Sequence, residues 1–152
     1  LDAIRQIARL DLYQQQSDFF SRLALTFAKG DYAVIDVIPH KQQIAEKLYR
    51  RSLEYGPNAR AYLGLGMIYQ KEGAFEESIR ILLEGMALFP EDESLHICLA
   101  VSYMNIGKFK TALSHLLKFQ HRKEAIQVIA NCYQALNDFE KAEEYFKRYQ
   151  EF

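Results

Sequence analysis

The chain has 152 residues, 49% of them hydrophobic and 26% charged, with a formal net charge of −1. This is the composition of one soluble globular domain, long enough to bury roughly two-thirds of its unfolded surface. Near-neutral, evenly spread charge offers no field for nucleic acid or a membrane surface, and no apolar run approaches the ~18 residues of a membrane span. The two cysteines, Cys98 and Cys132, make no disulfide framework. They read as small buried apolar side chains in a reducing, cytoplasmic setting. The charged, amphipathic start is unlike a secretory signal, and the missing initial Met suggests a piece of a longer chain.

In chain order, residues 1–14 place Ile4, Ile7, Ala8 and Leu12 on one side of a helix. Ser17 or Asp18 is positioned to cap a second helix through Lys29, carrying Phe19, Phe20, Leu23, Leu25 and Phe27. Gly30, Asp31 and Tyr32 read as a turn. Residues 32–38 are an apolar run, helical or extended, that Pro39 ends. Helical spacing returns over residues 41–55 with Ala45, Tyr49 and Ser52, and Asn58 is placed to cap the next helix.

Residues 59–92 carry the strongest pattern. Tyr62, Leu65, Gly66 and Tyr69 share one helical face, and Gly73 sits where a last turn needs positive φ. Phe75, Ser78, Ile79, Leu82, Gly85 and Met86 follow at helical spacing, and Pro90 closes the unit. A second copy, Leu99-Ala100, Tyr103, Gly107, Phe109, Ala112 and Leu116, lies 34 residues on. A third, Ile129-Ala130, Tyr133, Asn137, Phe139, Ala142 and Phe146, follows after 30 residues, so about one helical turn is missing at the second junction. Asn137 replaces the turn glycine and tolerates the same left-handed conformation.

This pattern resembles the tetratricopeptide repeat, a helix–turn–helix unit of about 34 residues. The resemblance implies an all-α, right-handed solenoid of antiparallel helix pairs, with about ten helices here. Its units would be an irregular N-terminal part with a degenerate repeat (1–58), a repeat (59–92), a shortened repeat (93–122) and a terminal repeat (123–152), all in one continuous domain. The last repeat lacks the further helix that commonly covers the family's final apolar face, which predicts partial exposure of Tyr145, Tyr149 and Phe152.

In this family first helices line a concave groove. Carried over by position, the groove holds Arg60, Leu63, Met67, Gln70 and Lys71 from the first clear repeat. The second adds Ser94, Ile97, Val101, Met104 and Asn105, and the third Glu124, Gln127, Asn131 and Gln134. Members that grip the carboxylate ends of chaperones use a Lys and Asn pair and then Lys with Arg. The equivalent places hold Leu63 and Met67, then Glu124 and Val128, so that clamp is absent. An apolar strip (Leu63, Met67, Ile97, Val101, Met104) runs into an amide patch (Asn105, Gln127, Asn131, Gln134). Either the strip takes an apolar or amphipathic partner segment, or the chain's own N-terminal helices cover it as core.

No motif for catalysis, phosphate binding or a cofactor emerges. His96 and Cys98 have no second pair at zinc-ligand spacing, and His96 reads as a packed core histidine. His115, Lys118, His121, Arg122 and Lys123 form a basic cluster, either a solvated helix end or a dock for an acidic partner. The acidic pairs lack an opposing carboxylate across a cleft. The sequence therefore points to a non-enzymatic scaffold that needs no cofactor and binds a protein or peptide segment. The competing reading is an assembly domain of a larger chain, self-associating through its C-terminal repeat.

Overall fold

Helix boundaries follow from local chemistry that the sequence supplies at regular intervals. A computed structural model describes residues 2–29 and 39–152. Among them eight α-helices follow in order: α1 (Asp2–Lys29), α2 (Lys41–Tyr55), α3 (Ala59–Lys71), α4 (Phe75–Leu88), α5 (Glu93–Asn105), α6 (Phe109–Leu116), α7 (Lys123–Ala135) and α8 (Phe139–Gln150). Each later helix pair closes through a left-handed residue: Gly73 at φ 75°, Gly107 at φ 79° and Asn137 at φ 62°. Side-chain caps start three of the helices. Asn58 accepts from the Ala61 amide, Asp92 from Leu95 and Asp138 from Lys141, each satisfying a donor the first turn leaves free.

Helices α3, α5 and α7 touch in succession and form an inner row, with α1 against α3 at its head. Helices α2, α4, α6 and α8 pack outside them, each joined to its sequence neighbours. The N-terminal expectation needs correction. Ser17 and Asp18 do not cap a second helix, because α1 is continuous from Asp2 to Lys29. Ser17, Ser21 and Ala24 are its fully buried residues, small where α1 crosses α2. The Ser17 hydroxyl lies 3.1 Å from that of Ser52 and donates to the Gly56 carbonyl at 3.2 Å, so it is spent on tertiary contacts. The merger, and the fact that residues 30–38 lie outside the described residues, account for eight helices where about ten were expected. The expected turn at Gly30 and the run 32–38 fall in that segment.

The core divides into two clusters that meet on α5. Leu95, Cys98 and Leu99 join Tyr49, Leu65 and Leu82 on the N-terminal side. Ile97 and Ala100 join Leu116, Ile126 and Ile129 on the C-terminal side. A helix buried on both flanks carries apolar residues all round, and α5 reads Leu95, Ile97, Cys98, Leu99, Ala100, Val101 without a polar face. Between the inner and outer rows, Ser78 donates to the Gly66 carbonyl at 2.8 Å and lies 2.9 Å from the Ser102 hydroxyl.

The shortened junction has a packing cause. In the first clear repeat Gly85 lets α4 sit against Tyr62, whose Cβ would lie 2.7 Å from any Cβ placed at Gly85. The equivalent pair in the second repeat is Phe119 and His96, ring beside ring with centroids 5.0 Å apart. Two rings cannot approach as closely as glycine and ring. The second helix therefore ends at Leu116 and continues as a single 3₁₀ turn, Leu117–Phe119.

Candidate partner-binding cleft

A cleft of about 670 Å³ opens between α1 and the start of α3. Gln14, Asp18 and Leu25 of α1 form one wall, Leu63 and Met67 of α3 the apolar floor, and Phe89, Asp92 and Ser94 the far rim. Asn58 sets the angle between the walls: besides capping α3 it donates to Asp18 Oδ1 at 2.9 Å and to Ser21 Oγ at 3.2 Å. Arg60 adds a second tie, donating to Ser21 Oγ at 3.1 Å. Tyr49 closes the base. Burial pushes its phenol up to about 12, against a smaller lowering by Arg60, so it stays neutral at physiological pH.

The expected groove residues separate into distinct environments. Arg60, Leu63, Met67 and Ser94 line the cleft, with Met67 47% exposed. Lys71 is exposed, and Val101 and Met104 are half-buried farther along the inner row. Three residues have other surroundings. Ile97 is only 8% exposed and belongs to the core, because α5 is covered on both flanks. The Gln70 amide points across to α5, donating to the Cys98 carbonyl and to Ser102 Oγ, both at 2.7 Å, so its donors serve the stack. Gln134 lines a separate depression at the far end with Phe139 and Phe146. Of the remaining polar residues, Asn105 donates to its own Val101 carbonyl at 2.8 Å, Glu124 pairs with Arg122, Gln127 is exposed and Asn131 is half-buried. The cleft wall from α1 and the Asn58 hinge escaped sequence reasoning, although Asn58 was legible as a cap.

The residues that drew attention for chemistry have structural roles. His96 is buried, with Nε2 2.8 Å from the Pro90 carbonyl. Cys98 and Cys132 are free thiols, and burial pushes them up to about 12 and about 11. Such thiols hold their protons and are poor nucleophiles. In the basic cluster, His121 and Arg122 both reach Glu93, at 2.9 and 3.2 Å. Lys123 lies over the Tyr149 ring at 4.8 Å. The cluster thus clamps the second junction with its charges partly engaged.

His115 makes that junction sensitive to pH. Burial, with lesser contributions from His96 and Lys118, holds its imidazole below the ordinary value. The unfolded chain then binds the proton first, so stability is constant above the unfolded value of about 6.5 and falls as pH drops through the window beneath it. We expect the melting temperature to decline from pH 7.5 towards pH 5.5 and the His115→Gln variant to show a shallower decline. An unchanged slope in that variant would assign the effect to other groups.

An antiparallel helix-pair solenoid with an open inner cleft defines the class: an all-α repeat domain. The tetratricopeptide-repeat sequence model matches residues 59–92 and 123–152, so those two stretches carry that repeat. Over 72 residues the chain is 32% identical to the human protein O-mannosyl-transferase TMTC1, covering 47% of this chain and 8% of that protein. It therefore spans a small part of that relative's length. A crystal structure of MamA superposes with a TM-score of 0.72 at 18% identity, covering 93% of this chain and 85% of that one. MamA from Desulfovibrio magneticus, residue 41 to its end, gives a TM-score of 0.69 at 17% identity, covering 89% and 74%. At these identities the likeness is one of fold.

Proposed function

We propose that this domain is a cytoplasmic protein-interaction scaffold, acting by binding and not by catalysis, and that it takes an apolar or amphipathic partner segment along its inner row. The observation carrying this reading is Met67, a long apolar side chain 47% exposed on the floor of a cleft whose walls are hydrogen-bonded in place. Leu63 lies beside it, and Val101 and Met104 extend the apolar path along α5. Methionine adapts its shape to varied partners. Asn105, Gln127 and Asn131 beyond the apolar path would orient the segment's backbone, and Arg60, Lys71, Ser94 and Glu124 would frame it. In this reading 1–58, 59–92, 93–122 and 123–152 act as units of one continuous domain.

The test is Met67→Glu combined with Val101→Glu, probed with a phage-displayed random dodecapeptide library. Neither side chain belongs to a core cluster, so helicity and melting temperature should stay close to wild type. Peptides selected on the wild-type chain should be rich in apolar residues and should bind the variant at least ~30-fold more weakly, in line with loss of a buried anchor of about 2 kcal/mol. Unchanged binding would remove the cleft from the account, and unfolding would show that the strip is core.

A second reading, self-association, is favoured by a specific feature of the far end. Phe139 and Phe152 are 64% and 56% exposed there, whereas Tyr145 is only 8% exposed and packs inward.

A further inference from the structure

The first and last described helices, α1 and α8, carry matching faces. Residues 2–15 of α1 are all exposed, because the contact with α2 is made by the buried residues Ser17, Ser21 and Ala24 farther along the helix. Ile4, Ile7 and Leu10 are 68%, 66% and 69% exposed in that projecting half. A helical segment of about this length is marginal in water without a packing partner. At the opposite end, α8 presents Phe139, Glu143, Phe146, Lys147 and Gln150 around a depression of about 410 Å³. That is the side on which a solenoid would receive its next first helix.

Charge placement selects the occupant. At about 100° per residue, Ile7, Asp11, Ile4, Ala8 and Leu12 form one face of α1, apolar apart from Asp11, and Arg5 and Arg9 flank it on the side of increasing angle. On α8 the stripe of Phe146, Phe139 and Gln150, beside buried Ala142, is flanked on the same side first by the Glu143–Lys147 ion pair, 3.0 Å apart, and then by Glu140 and Glu144, so the flank is net acidic. When two helices face one another, flanks of the same sense meet only if the helices run antiparallel. Antiparallel is also the direction in which each first helix follows the preceding second helix in this fold. In one register Arg5 stands opposite Glu144 and Arg9 opposite Glu140, while Ile4 and Ile7 lie along Phe146 and the depression beside it.

The geometry points to a head-to-tail contact: the projecting half of α1 from a second copy docks antiparallel on α8, continuing the solenoid from chain to chain. This inference rests on the self-association reading and is independent of the cleft. The contact is heterologous, so each addition leaves one free end of each kind and assembly is open-ended.

Light-scattering mass of the 152-residue chain over a hundredfold concentration range tests it. The wild-type mass should rise above 17.7 kDa with concentration. Arg5→Glu with Arg9→Glu, and separately Glu140→Arg with Glu144→Arg, should each hold the mass at the monomer value. All four residues are exposed, so circular dichroism should be unaltered. Mixing the two variants should restore growth, because each then offers the other a matched pair of faces. Met67→Glu with Val101→Glu should associate as wild type does, which separates failure of this contact from failure of the cleft. A constant monomer at every wild-type concentration would overturn the proposal and leave both faces to other partners. Association that survives both charge reversals, or a mixture that stays monomeric, would overturn it too.

Discussion

Gly85→Ala should lower the melting temperature, although alanine is the better helix former by about 1 kcal/mol. The methyl group would sit 2.7 Å from Tyr62 Cβ and 2.8 Å from Cγ. The Cβ is fixed to the α3 backbone, so no rotamer change at Tyr62 moves it away. Helices α3 and α4 would have to separate, loosening Leu65, Leu82 and the other buried residues between them. Overpacking of this kind costs about 1–3 kcal/mol, and for a domain of this size about 2 kcal/mol corresponds to a drop of roughly 4–8 °C. Thermal unfolding followed by circular dichroism reads the result. A melting temperature equal to or above wild type would mean that the two helices are not held at this separation.

Leu82→Ala should be the most damaging single truncation, at about 2–5 kcal/mol, because a fully buried leucine leaves a cavity its neighbours cannot fill. Its branch packs over Gly66, where an added Cβ would lie 2.6 Å from Leu82 Cδ2. Gly66→Ala alone should also destabilise the chain. Combined, the two changes should cost less than their sum by about 1 kcal/mol or more, since the new methyl occupies space that the leucine vacates. Urea denaturation of the two single variants and the double variant measures the coupling. Strict additivity would contradict the contact.

These two contacts also indicate what the residues alone revealed. Gly66, Gly85, Ser78 and Ala112 are small where helices approach closely, and Gly73, Gly107 and Asn137 adopt the left-handed turns their identities suggested. Local rules sufficed there, since each residue meets a demand set within its own repeat. Other features depend on what stands next to a helix. Ile97 looks like a groove residue by position in its repeat, but α5 has core on both flanks. The absence of any polar face on α5 was the available signal. The role of Gln70 also depends on its neighbour, because its donors are taken by Cys98 and Ser102 on the next repeat's helix. The continuous α1 was hidden by Ser17, which resembles a cap in isolation and is instead a close-packing residue against Ser52. The cleft wall that α1 supplies could not be placed until that helix was seen as one piece.

The central claim, that the inner row receives the partner, is tested most directly by the methionine methyl groups. The chain has three methionines. Met67 lies on the cleft floor and Met104 on the inner helix α5, whereas Met86 packs on the outer helix α4. With ¹³C-methyl-methionine labelling, titration of a selected apolar peptide should shift and broaden the Met67 and Met104 signals and leave Met86 in place. A response at Met86 with Met67 and Met104 unmoved would put the binding surface on the outer face and contradict the account.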